Sequence, residues 1–147
     1  MNEHYIDEIN ITSADSNDLP LKPKLASTVL LIRDSQDSIE VFMIKRAAAT
    51  NFGNAWVFPG GKVDAEDIQW SKENSYLLAA IRECFEESGV LIAQNNSGIL
   101  YSPDNQGELD LLKKHQKKIN NRKLNFHNFL EELHLKPAFN KLNFFSH

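Results

Sequence analysis

The chain has 147 residues, carries 16 Lys plus Arg against 20 Asp plus Glu for a formal charge of −4, and is 41% hydrophobic with nine Phe. That supports one domain with an ordinary core and excludes global disorder, while the acidic balance argues against a DNA-binding domain. Its longest apolar run, Tyr76 to Ile81, is far short of the roughly 18 to 20 residues that span a bilayer, and its one cysteine, Cys84, excludes an internal disulfide and a multi-cysteine zinc cage.

Met1 to Pro23 is polar, rich in Ser, Asn and Asp, and closed by Pro20 and Pro23, the composition of a flexible leader before a domain over residues 24–147. Its first ten residues carry Glu3, Asp7 and Glu8 where a secretory signal would be basic and then apolar, so a cytoplasmic protein is expected. Ala26 to Arg33 and Glu40 to Arg46 read as the strands of a hairpin around Asp34 to Ser38. Trp56-Val57-Phe58 is a short strand, ended by a tight, open-backed loop at Pro59-Gly60-Gly61. Asp64 to Ser75 is acidic and polar; Tyr76 to Ser88 has helix composition, with Gly89 at the C-cap position. Val90 to Ala93 and Ile99 to Tyr101 are short strands around an Asn95-Asn96-Ser97-Gly98 turn. Glu108 to Asn120 and Asn125 to Leu135 are helical, a helical insertion over about 108–135, and Leu142 to Phe145 is a last strand.

The chemistry concentrates in Arg82-Glu83-Cys84-Phe85-Glu86-Glu87-Ser88-Gly89-Val90. At about 100° per residue, Glu83, Glu86 and Glu87 share one face of a helix, while Leu77, Leu78, Ile81, Cys84 and Phe85 share the other. Like charges at these spacings repel, and a hard cation such as Mg²⁺ relieves the repulsion because it prefers clustered carboxylate oxygens. Arg82, four residues before Glu86, is placed to orient that carboxylate or to meet an anionic substrate. An ExxEE pattern is by itself common on solvated helix faces, and a GGK after a strand is common in turns. The two together are far more specific than either.

Together, Gly61 to Val90 resembles the Nudix box, in which G, five residues, E and seven residues lead into R-E-U-x-E-E-x-G-U, where U is a bulky aliphatic. Arg82, Glu83, Glu86, Glu87, Gly89 and Val90 occupy the second half, with Cys84 at the first U. The first half departs from the pattern: with five residues between, Gly61 is followed by Asp67, and fourteen residues separate it from Arg82, so an insertion of about seven residues is implied. Counting back from Arg82 instead puts the acidic position on Asn74, beside Glu73. The context Trp56-Val57-Phe58-Pro59-Gly60-Gly61-Lys62-Val63-Asp64 is similar to the coenzyme A and acyl-CoA diphosphatase branch of the Nudix hydrolases.

The resemblance implies an α/β Nudix fold, with a mixed β-sheet between helices, and Mg²⁺-dependent hydrolysis of a diphosphate linkage, with Mn²⁺ able to stand in. Coenzyme A or acyl-CoA is the favoured substrate; nucleoside triphosphates are the alternative, and a non-catalytic nucleotide- or partner-binding remnant is the contrasting class. Glu83, Glu86 and Glu87 are the implied metal ligands, joined by the Gly61 carbonyl, with Arg82 in the catalytic set. Gly60, Gly61, Lys62 and Arg46 are the implied phosphate-binding residues.

Lys113, Lys114, Lys117, Lys118, Arg122 and Lys123 read first as a solvated helix face, and His4, His115, His127, His134 and His147 as surface or helix-packing residues. Phe126, Phe129, Leu130 and Leu133 recur at i, i+3, i+4 and i+7, a core stripe. Relatives with these added helices continue beyond a segment like Leu142 to His147. A fold incomplete at its C-terminus is therefore expected, with exposed strand edges that invite a homodimer.

Overall fold

The computed structural model describes residues 23–49 and 53–146, so the expected leader, apart from Pro23, lies outside the described residues. The chain first builds a strand layer. Ala26–Thr28 (β1) continues through a bend into Ile32–Asp34 (β2), which returns as Ile39–Val41 (β3), Ile44–Lys45 (β4), Trp56–Val57 (β5) and Gly60–Lys62 (β6). The ladders are antiparallel pairs, β2 with β3, β4 with β5 and β1 with β6. The expected hairpin forms as β2–β3, closed by the Ser35 N–H donating to the Ser38 carbonyl at 2.8 Å. Bends between the strands split the layer into short ladders, and the Val29 N–H to Pro59 carbonyl bond at 2.9 Å carries the β1–β6 pairing onward.

Two local expectations need correction here. Gly60–Lys62 is a strand where a loop end was expected, because β1 supplies a partner distant in sequence. A Cβ on Gly60 would run into the Ser27 carbonyl and Thr28, so glycine is what permits that approach. The acidic stretch after it contains a helix, Ala65–Trp70 (α1). Asp64 and Asp67 start it with a reciprocal capping box, in which the Asp64 N–H donates to Asp67 Oδ2 at 2.9 Å.

Ser75–Ser88 (α2) is the central helix; it buries Leu78, Ile81, Cys84 and Phe85 and ends as expected at Gly89, whose φ of 78° lets its N–H reach the Phe85 carbonyl at 2.9 Å. Ala93–Gln94 (β7) follows, and a bridge from Gln94 to Leu100 closes the expected Asn95–Gly98 turn. Gln106–Asn120 (α3) and Phe126–Glu132 (α4) are capped by Asn105 and Asn125, which accept the N–H groups of Glu108 and Asn128 at 3.0 and 2.8 Å. α4 stops short of Leu135, because Leu133 caps it and His134 turns into positive φ, 54°. The strand expected over Leu142 to Phe145 does not form. Lys136–Pro137 (β8) pairs with β7 instead, followed by a 3₁₀ turn over Phe139–Lys141.

The core lies where α2 meets α3 and α4. Phe85 stacks on Phe129 with ring centroids 4.8 Å apart and planes 13° from parallel, and Phe126 packs beside both. Phe126, Phe129 and Leu130 are buried and Leu133 packs against them, as the helical stripe implied. Among the described residues, no helix is long and apolar enough to cross a membrane.

Candidate active site

Glu83, Glu86 and Glu87 leave the face of α2 opposite its buried stripe, next to β6. The fit is close: a Cβ on Gly61 would collide with the Glu83 carboxylate, and the Gly60 N–H donates to Glu87 Oε2 at 3.0 Å. Adjacent glycines thus let bare backbone lie against two carboxylates, which is the physical content of the Gly60-Gly61 pair.

Arg82 holds the arrangement from behind. Its side chain is only 9% exposed and its guanidinium is fully engaged. Nε and Nη2 form a fork on Asp67, at 3.1 and 2.9 Å, and Nη2 also donates to the Lys62 carbonyl at 2.8 Å. Nη1 reaches Glu83 Oε1 at 2.9 Å and Glu86 Oε1 at 3.3 Å. Burial opposes its charge, but the hydrogen bonds to Asp67 and the charges of Asp67, Glu83 and Glu86 outweigh that and hold it above the ordinary arginine value. Of the two roles open to Arg82, the geometry takes the first: it orients carboxylates. It also settles the departure in the first half of the motif. Asp67, separated from Gly61 by five residues, is the buried acid that meets Arg82, and the added residues lie between Asp67 and α2.

Partial burial raises the pKa of Glu86, and the neighbouring charge of Glu83 adds to it, while Arg82 works in the opposite direction. Glu87 is raised likewise by burial and by Glu83, against the Gly60 N–H and Arg46, which favour its charged form. No three His, Cys, Asp or Glu side chains among the described residues converge as a ready-made metal cage. The donor set nevertheless fits a hard divalent cation: three oxygen-bearing side chains on one helix face, partly desolvated and mutually repelling, beside exposed backbone. Such an ion would draw at least one carboxylate from its present partner, Arg82 or the Gly60 N–H.

Arg46, just after β4, stands near Glu87 across a cleft of about 450 Å³ lined by Thr28, Met43, Arg46, Trp56, Val57, Phe58, Gly60 and Glu87. Lys62 is exposed on β6 and lends its carbonyl, not its ammonium, to Arg82. Sequence reasoning missed a clamp from α3: Gln116 Nε2 donates to the carbonyls of Phe85 and Glu86 at 3.0 Å each, and Asn120 Nδ2 to that of Glu86 at 3.1 Å. The only available signal was the i, i+4 spacing of two amides on one helix.

The other candidates take the plainer reading. Cys84 is fully buried, and burial pushes its thiol pKa up, the opposite of an activated nucleophile. His115 is buried between the Leu111 carbonyl and the Glu132 carboxylate, tying α3 to α4, and His127 lies edge-on to Trp70. Lys113, Lys114, Lys117, Lys118 and Lys123 share a shallow concavity of about 480 Å³ with Asp110 and Asn121, and none of them lines the cleft at Glu87.

Known proteins resemble the chain in sequence and in fold. Over 71 residues the chain is 42% identical to "Putative nudix hydrolase 7" of Caenorhabditis elegans, a match covering 48% of this chain and 22% of that protein. The crystal structure of a NUDIX hydrolase from Alicyclobacillus acidocaldarius shares the fold with a TM-score of 0.59 at 23% identity, covering 79% of this chain and 57% of that one. The chain thus spans less than two thirds of the length of either relative. The family described as the NUDIX domain matches residues 22–138, well over half the sequence. With the Gly61-to-Val90 motif, the α/β architecture and the Arg82–Asp67 buttress all in place, the chain belongs to the NUDIX domain family.

Proposed function

We propose that the chain is a divalent-metal-dependent hydrolase of a phosphorus anhydride in a nucleoside-diphosphate-linked substrate, with Mg²⁺ as the ion, Mn²⁺ as its substitute, and coenzyme A or acyl-CoA as the favoured substrate in the cytoplasm. The observation that carries it is the set of three glutamates on one face of α2, with Glu83 and Glu87 against the Gly61 and Gly60 backbone and Glu83 and Glu86 held by a buried arginine. Glu83, Glu86, Glu87 and the Gly61 carbonyl would hold the ion. When bound, a divalent cation neutralises phosphate oxygens and lowers the pKa of water.

The remaining steps belong to the protein's own residues. Arg82 fixes the carboxylates of Glu83 and Glu86, so that little reorganisation is needed when a substrate arrives. Glu86 and Glu87 carry raised pKa values and are the two candidates to accept the proton of the attacking water. Arg46, on the other side of the cleft, meets phosphate oxygens. The FPGG context over Phe58 to Gly61 is what favours coenzyme A over nucleoside triphosphates.

The test is product release by purified protein with Mg²⁺ against CoA, acyl-CoA, NADH, ADP-ribose and nucleoside triphosphates, with Glu87→Gln in parallel. Turnover by the native chain and a loss of at least about a hundredfold in the variant are expected. A folded protein that turns over none of the panel would instead favour a non-catalytic binding role.

A further inference from the structure

The cleft beside Glu87 has one wall that the carboxylates do not explain. Trp56 sits in strand β5, yet it is 62% exposed and lines the opening. Its ladder partner is Lys45, so the two side chains leave the same face of the pair. Met43, Val57 and Phe58 continue the apolar lining, Thr28 adds a hydroxyl, and Arg46 and Glu87 make the polar end. The guanidinium of Arg46 forms no ion pair among the described residues, although it lies close enough to Glu87 to favour that carboxylate's charged form. The lining therefore grades from an aromatic, apolar stretch to a cation beside the glutamate shelf.

A nucleoside diphosphate grades the same way, from the flat face of a base through a sugar to anionic oxygens. Indole faces stack on any base, and a cleft of about 450 Å³ falls within the usual range for small-molecule sites. We propose that this cleft is the nucleoside subsite, with the base stacked on Trp56 and the adjoining phosphate met by Arg46. The inference rests on the hydrolase reading for the direction in which the substrate lies, but it specifies which end the protein recognises and with which residue. Trp56 is then a substrate-binding side chain that accepts a nucleoside of any base: it binds the part of the substrate that does not react.

The sequence has two tryptophans, and the other, Trp70, packs edge-on against His127 with ring centroids 4.0 Å apart. Trp70→Phe keeps an aromatic ring in that contact and leaves Trp56 as the sole indole emitter. Titrating this variant with AMP, ADP, ribose 5-phosphate and inorganic pyrophosphate should quench Trp56 saturably, and shield it from acrylamide, with AMP and ADP only. In the kinetic arm, Trp56→Ala should raise KM for the nucleotide-linked substrate about tenfold with kcat within about twofold, and Trp56→Phe should restore most of the loss. Failure of AMP and ADP to quench, or an unchanged KM in Trp56→Ala, overturns the proposal. The two readings fail separately. Nucleotide quenching in a protein without turnover removes the hydrolase and keeps the subsite; turnover abolished by Glu87→Gln but insensitive to Trp56→Ala removes the subsite and keeps the hydrolase.

Discussion

Phe85 and Phe129 are fully buried where α2 meets α4, whereas Ile32 and Ile39 on the β2–β3 hairpin are each 67% exposed. Both regions are rich in apolar side chains, but the hairpin leaves Ile32 and Ile39 exposed, while Val29 and Leu31, just before it, join the core around α2. The β2–β3 hairpin is held mainly by ladder hydrogen bonds and by the exposed Arg33–Glu40 pair at 2.6 Å, a type of contact worth little in water. Burial is thus concentrated around α2, and the candidate active site lies at the boundary: α2 contributes the carboxylates, β6 packed against it contributes the glycines, and the more exposed β5 contributes Trp56.

Substitutions on either side of that boundary can break the contrast. Phe129→Ala should cost about 3–5 kcal/mol in urea unfolding, since it empties the stack on Phe85; a loss under about 1 kcal/mol would mean that α4 does not anchor the core. Asp67→Ala should cost about 3 kcal/mol, because it leaves the buried Arg82 without its main partner. In that variant turnover should fall more than global stability predicts at assay temperature, as Glu83 and Glu86 lose a fixed counter-charge. Gln116→Ala should cost about 1 kcal/mol and sharpens the comparison by removing a polar tie within the helical half. Ile39→Ala should change stability by less than about 0.5 kcal/mol, the value for an exposed site. A large loss at Ile39 would show that the hairpin is covered in solution, and sedimentation of the native chain would then identify a self-association.

The features legible in the sequence were those whose cause is local. The amphipathic pattern of α2, its glycine cap and the core stripe of α4 follow from periodicity and from φ preferences at single residues. Gly60–Lys62 was misread because glycine pairs mark turns locally, while the strand depends on β1, more than thirty residues earlier in the chain. α1 is six residues long, too short for a periodic signature, and was visible only through the Asp64–Asp67 capping spacing. Leu142 to Phe145 looked like a strand by composition, yet β7 pairs with Lys136–Pro137, where proline stands on an edge that asks little of its missing N–H. At the site, spacing identified the three glutamates and offered Asp67, but which acid met Arg82 depended on where the inserted residues looped out. The Gln116–Asn120 clamp joins segments about thirty residues apart, and nothing in either segment announces the other.

That clamp has an electrostatic consequence. Glu86 and Glu87 occupy the last turn of α2, and aligned peptide dipoles place about half a negative charge at that end of a helix. Lysine or arginine in a last turn softens this pole, but the last turn of α2 has no basic residue, and the groups that reach its Phe85 and Glu86 carbonyls, the amides of Gln116 and Asn120 and the Gly89 N–H, are uncharged. The hydrogen bonds are met while the field is left standing. Arg82 meets Glu86, and Arg46 favours the charged form of Glu87, yet the pole itself adds negative potential at both carboxylates, so the end of this helix attracts a cation through its backbone as well as through its side chains.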